Sequence, residues 1–137
     1  MLQLDALVEI GSLAAEPPDR DEFECLVTSG RRQLQDASVK GLSDESKFQL
    51  AYGAAHSLAV AALRWHGYRS RNRYLVFQCL EHSVGLKKEK WRVLDACHRQ
   101  RNLAEYQGHM DITAQLLSDL VRIAAELLKL VESMGAP

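Results

Sequence analysis

An all-α fold is the class this sequence predicts, on three observations. Every long segment repeats its apolar residues at helical spacing, and nowhere does apolar–polar alternation persist between hairpin turns. The segments are also separated by Pro17-Pro18, Gly41, Gly67, Gly85 and Gly108, residue types that end helices. At 137 residues the chain suits one domain that buries a core without disulfides or metal. The expected architecture is an antiparallel helical bundle of about five to six helices over 1–137, with residues 1–18 as an N-terminal appendage.

A first short helix is predicted over Leu2–Ala15, ending at Pro17-Pro18, where the missing amide and fixed φ forbid continuation. Asp19 can cap a second helix, Arg20–Lys40, which turns Phe23, Leu26, Val27, Leu34 and Ala37 inward and has Gly41 as its C-cap. Ser43 is the N-cap expected for the third helix, with Asp44 and Glu45 at the positive end of its dipole. From Phe48 to Trp65 that helix is apolar nearly all round and rich in alanine, which places it at the centre of the bundle. Its alanines admit a close neighbour, either from this chain or from a second subunit. Gly67 ends it, and a loop, Tyr68–Asn72, leads to a fourth helix over Arg73–Val84 that stops at Gly85. A fifth helix covers Lys87–Gln107 and ends at Gly108. The last, Asp111–Met134, is amphipathic, with Ile112, Leu116, Leu120, Ile123, Leu127 and Val131 facing in.

Charge is distributed unevenly. The net charge is -1, but residues 1–46 carry -6, residues 47–109 carry +7 and residues 110–137 carry -2, and all five histidines lie in the basic middle segment. Phosphate or acid–base chemistry is therefore expected in the middle segment, unless the pattern only neutralises itself on folding. Cys25, Cys79 and Cys97 form no CxxC pair and fit a reducing cytoplasm. No basic stretch precedes an apolar one at the start, and the longest uncharged apolar run, Leu58–Leu63, is too short to span a bilayer. A soluble cytoplasmic protein with no membrane segment is expected.

The run Arg101-Asn102-Leu103-Ala104-Glu105-Tyr106-Gln107-Gly108 holds the densest chemistry. At about 100° per residue, Arg101 shares its face with Val93, Leu94, Cys97 and Ala104, so a guanidinium projects from an apolar stripe. Beside it fall Glu105, His98, Asn102, Asp95, Tyr106 and Trp91. Two readings follow. Arg101 is either a buried structural arginine paired with Glu105 or Asp95, or a phosphate ligand with Asn102 orienting the phosphate and His98 or Tyr106 moving a proton.

The Arg-Asn pair late in a long helix of a small all-α domain, with a ring-bearing residue one turn later, resembles the HEPN superfamily of bacterial toxin and defence proteins. The helix Phe48-Gln49-Leu50-Ala51-Tyr52-Gly53-Ala54-Ala55-His56 adds to the likeness, which covers roughly Ser43 to Val131. The resemblance implies a homodimer in which the motif helices face each other across a composite cleft. It also implies, in active members, metal-independent cleavage of RNA. There the arginine steadies the scissile phosphate, and a histidine further along the helix assists attack by the ribose 2′-OH. Arg101 matches the arginine and Asn102 the polar residue after it, whereas Tyr106 occupies the histidine position. A phenol, with a pKa near 10, is a poor base at neutral pH. His98, one turn before Arg101, is the alternative base. In some members a partner nucleotidyltransferase modifies a tyrosine two residues beyond the histidine, where this chain has Gly108, which leaves Tyr106 as the acceptor. The resemblance thus implies an RNA-binding dimer with an antitoxin or nucleotidyltransferase partner, or alternatively an active ribonuclease toxin or a purely structural interaction module.

The stretch Arg64–Tyr74 interleaves cations with aromatics, a mixture that contacts phosphates and stacks unpaired bases. Arg69, Arg71 and Arg73 are its RNA-contact candidates, against the alternative of an ordinary solvated loop. Lys87, Lys88, Lys90 and Arg92 extend a basic rim or form an exposed helix start. Cys79, His82, Cys97 and His98 have zinc-ligand atoms but lack paired spacing, so they read as core thiols and histidines, and neither metal nor cofactor is expected. His56 reads as a hydrogen-bonded core histidine.

Overall fold

The computed structural model describes residues 1–137 and is predominantly helical. Seven helical segments and one small sheet follow in the order α1 (Leu2–Glu9), β1 (Leu13–Ala15), α2 (Arg20–Ala37), α3 (Asp44–Trp65), β2 (Tyr68–Ser70), α4 (Arg73–Gln78), α5 (Leu80–Ser83), α6 (Lys88–Gln107) and α7 (Ala114–Glu132). The starts are set by side-chain caps. Asp19 accepts from the Glu22 amide at 3.0 Å, Ser43 from Ser46 at 3.1 Å, Asn72 from Tyr74 at 2.8 Å and Thr113 from Leu116 at 3.1 Å. The last of these begins α7 at Ala114, later than the expected Asp111. Gly108, at φ 77°, closes α6 in the left-handed conformation that lets its amide reach back to the Ala104 carbonyl.

α3 is the central element, and α2, α4, α5, α6, α7 and β2 all pack on it. Its alanines at 51, 54, 55, 59, 61 and 62 are fully buried by other parts of the same chain, which leaves none of them for a second subunit. The α2–α3 approach is close because Gly30 has no side chain. A Cβ there would come within 2.7 Å of Leu58 Cγ, itself wholly buried.

The N-terminal region departs from expectation. α1 ends at Glu9 rather than Ala15, and Leu13–Ala15 pairs antiparallel with Tyr68–Ser70, in the register Leu13 with Ser70 and Ala15 with Tyr68. A loop was expected at 68–72, and strands this short carry too little alternation to be read from sequence. Leu4 and Leu13 join Leu63, Tyr68 and Cys79 in a small second core. Arg64, 1% exposed, fastens this region. Its guanidinium donates to the Glu16 carbonyl at 2.9 Å, the Pro17 carbonyl at 2.7 Å and the Glu22 carboxylate. Burying an arginine is tolerable when its donors are spent in this way. The predicted fourth helix is interrupted at Cys79, giving the short pair α4 and α5. No helix is long and apolar enough to cross a membrane.

Candidate functional site

α6 buries Leu94, Cys97 and His98 against the core and leaves Arg101 partly exposed on the flank facing α3. Arg101 forms no ion pair, and neither Glu105 nor Asp95 neutralises it, so the paired-arginine alternative does not hold. Its guanidinium carbon instead lies 5.2 Å from the centroid of the Tyr52 ring on α3, a cation–π contact.

His98 is buried with both ring nitrogens engaged. Nδ1 shares a 2.6 Å hydrogen bond with Tyr52 Oη, and the Asn102 carboxamide nitrogen lies 3.2 Å from Nε2 and 3.4 Å from Tyr74 Oη. With Asn102 assigned as donor, Nδ1 carries the proton and Tyr52 Oη accepts it, which frees the tyrosine hydroxyl hydrogen for another partner. Burial lowers the His98 pKa. Asp95 opposes this, while Arg101, Arg73 and Arg99 add to it. His98 is thus a neutral strut that holds Tyr52, and Asn102 in turn holds His98. Tyr52 itself is held above the usual phenol range by burial, with Arg101 pulling the other way.

A polar cleft of about 310 Å³ opens between α2, α3, α4 and α6. Arg101 and Arg73 line it together, with Tyr52, His56, Ser57 and Gln49 among the other walls. Arg73, like Arg101, has no carboxylate partner. Burial is the main cause that lowers the His56 pKa, followed by Arg73, Arg101 and His98. Its Nε2 is buried without a hydrogen-bond partner, so the expected satisfied core histidine is not found. A second, smaller cleft of about 200 Å³ continues past Arg101 along Glu45, Gln49, Glu105 and His109.

The other sequence candidates separate clearly. Tyr106 is 90% exposed and turned out to solvent, away from the Tyr52–His98–Asn102 group. Glu105 is exposed on the wall of the smaller cleft. Arg69 is taken up by two carboxylates, 2.6 Å from Glu16 and 2.8 Å from Glu22, and Arg64 is buried beneath it. Neither belongs to a free RNA-contact loop. Arg71 and Arg73 remain exposed. Cys79 and Cys97 are buried core thiols whose pKa values burial pushes up to about 11 and about 12. No group of three His, Cys, Asp or Glu side chains is arranged to hold a metal.

The sequence reading missed Tyr52 and His56 as partners of Arg101, although their i, i+4 spacing within the alanine-rich stretch of α3 sets them on one stripe. The chain matches no known family model, no curated protein and no solved structure.

Proposed function

We propose that this chain binds RNA through phosphate groups in the Arg73–Arg101 cleft, as a binding protein and not as a nuclease. The observation that carries the reading is the convergence of two unpaired arginines on one cleft, in a chain whose neighbouring arginines 64 and 69 are already neutralised. Two guanidinium groups without counter-charges are held there at an electrostatic disadvantage that an anion relieves. The Tyr52 hydroxyl adds a neutral donor.

The two residues expected to move a proton argue against cleavage. A general base must reach the proton it removes, yet His98 has both nitrogens committed and Tyr106 faces away. The HEPN-like reading belongs to the same proposal: a cytoplasmic homodimer in a bacterial toxin–antitoxin or defence system, with an antitoxin or nucleotidyltransferase as partner. Leu103 and Tyr106, both exposed on α6, supply the apolar contact for a second copy.

The test is equilibrium binding of a short single-stranded RNA to the native chain, to Arg101→Ala and to Arg73→Ala, at two salt concentrations and without metal. Each substitution should weaken binding and flatten its salt dependence by about one phosphate contact. RNA recovered from every sample should be intact. Native affinity in both variants would remove the cleft from the reading, and cyclic-phosphate ends that depend on Arg101 would replace the binder with an enzyme. Sedimentation showing only monomer at micromolar concentration would remove the dimer.

A further inference from the structure

A third cleft shares two walls with the Arg73–Arg101 cleft. His56 and Arg73, which close one side of the phosphate cleft, also line a more enclosed cavity of about 330 Å³ between α3, β2 and α4. The two cavities differ in character. The floor of this one is apolar, formed by Val60, Leu63 and Val76, the last two of them buried core residues. Its rim is polar, with Arg71 and Asn72 on the β2–α4 turn. An apolar slot edged by a few hydrogen-bonding groups is the ordinary form of a small-molecule site.

From this juxtaposition we infer that the α3–β2–α4 cavity is a base subsite, so that the two clefts together hold one unpaired nucleotide with its phosphate on Arg73 and Arg101. The inference rests on the phosphate reading above and names the ligand's other half. A planar heterocycle suits the cavity because its faces are apolar while its edges carry donors and acceptors. The floor supplies the first match, and Asn72 and Arg71 supply the second. The His56 ring and the Arg73 guanidinium stand between the two clefts and offer flat groups against which a base or sugar packs.

The β2–α4 turn is built to hold that rim still. Ser70 Oγ donates to the Asn72 carbonyl and accepts from the Asn72 amide at 3.1 Å, and Asn72 Oδ1 caps α4. β1 pairs with β2 along its outer edge, which makes the turn a fixed wall.

Binding to the full-length chain is measured for inorganic phosphate, for purine and pyrimidine nucleoside monophosphates and for a short RNA, in the native protein and in Val60→Phe. Val60 is partly exposed on the cavity floor, so a larger ring there occupies the slot without entering the core. The native chain should bind a nucleoside monophosphate about tenfold tighter than phosphate, the gain expected from stacking one base. Val60→Phe should abolish that gain and keep the phosphate affinity. Backbone amides of Ser70, Arg71 and Asn72 should shift with the nucleotide and stay in place with phosphate, a readout independent of any variant. Equal affinity for phosphate and nucleotide, or unmoved turn amides, overturns the base subsite while phosphate binding that depends on Arg101 leaves the first reading intact. Phosphate binding that ignores Arg101 overturns the first reading instead. RNA tighter than the monophosphate identifies the nucleotide as part of a strand, and the reverse order identifies it as free; either order supports the subsite.

Discussion

Arg64 offers the sharpest test of how the fold is held. Replacing it with Met keeps an unbranched stem in the core but removes every donor. The Glu16 and Pro17 carbonyls then lose a charged partner, and Glu22 keeps only Arg69. Deleting one member of a buried ion pair costs about 3–5 kcal/mol, and loss of hydrogen bonds to a charged group about 1.5–3 kcal/mol each. The Glu22 side chain is 35% exposed and retains Arg69, so solvent and that second arginine absorb part of the loss. The lower limit, about 3 kcal/mol, is therefore the appropriate figure. For 137 residues the unfolding entropy is about 290 cal/mol/K, so Tm should fall by about 10 °C. Thermal and urea unfolding followed by far-UV circular dichroism measure this directly. Arg64→Lys, which keeps the charge with fewer directed donors, should lie between the two. A Met variant within about 0.5 kcal/mol of the native chain would show that the network contributes nothing net, and the account of the N-terminal region would fail with it.

Three further outcomes follow from the same geometry. Sulfate, which stays dianionic across the range, should bind more tightly as pH falls from about 8 to about 6. Burial and the Arg73 and Arg101 fields depress His56, so an anion that screens those fields raises the His56 pKa and His56 takes up a proton; a flat profile, or one unchanged in His56→Gln, would refute the coupling. Gly30→Ala should destabilise by about 1–3 kcal/mol because Leu58 cannot retreat, whereas Gly53→Ala, whose neighbour is the flexible end of Gln33, should be close to neutral; urea midpoints decide, and equal effects would contradict the packing. Asp5, Glu16 and Glu22 are all held below the usual carboxylate range, Asp5 chiefly by Tyr68, Glu16 by Arg69 and Glu22 by Arg64. Their contribution is present above about pH 4 and is lost as pH falls through the depressed values, so acid unfolding should begin there, and Glu22→Gln should weaken that dependence in a circular dichroism titration.

The helical body was legible because its signals are local. Asp19 and Ser43 cap the helices they were expected to cap, and the apolar circumference of residues 48–65 marked the central helix. What escaped reading depends on pairing across distance. Leu13–Ala15 becomes a strand only because Tyr68–Ser70 lies beside it, and nothing within three residues announces that partner. Arg64 and Arg69 belong to a run that looks like a basic loop, but Glu16 and Glu22, remote in sequence, claim them both. The site was half visible for the same reason. Arg101, Asn102 and His98 share one helix face and were found together, whereas Arg73, Tyr52 and His56 reach Arg101 only through the packing of three helices.

The two-stranded ribbon has three paired residues per strand, too few to persist without the packing of Leu13 and Tyr68 beneath it. It backs the turn that carries Arg71 and Asn72, whereas Arg101 is held independently on α6. If a nucleotide bridges the two clefts as proposed, its binding should slow amide exchange in Leu13–Ala15, residues that line neither cleft. Amide exchange in the chain's first segment would then read the occupancy of a site that it does not touch.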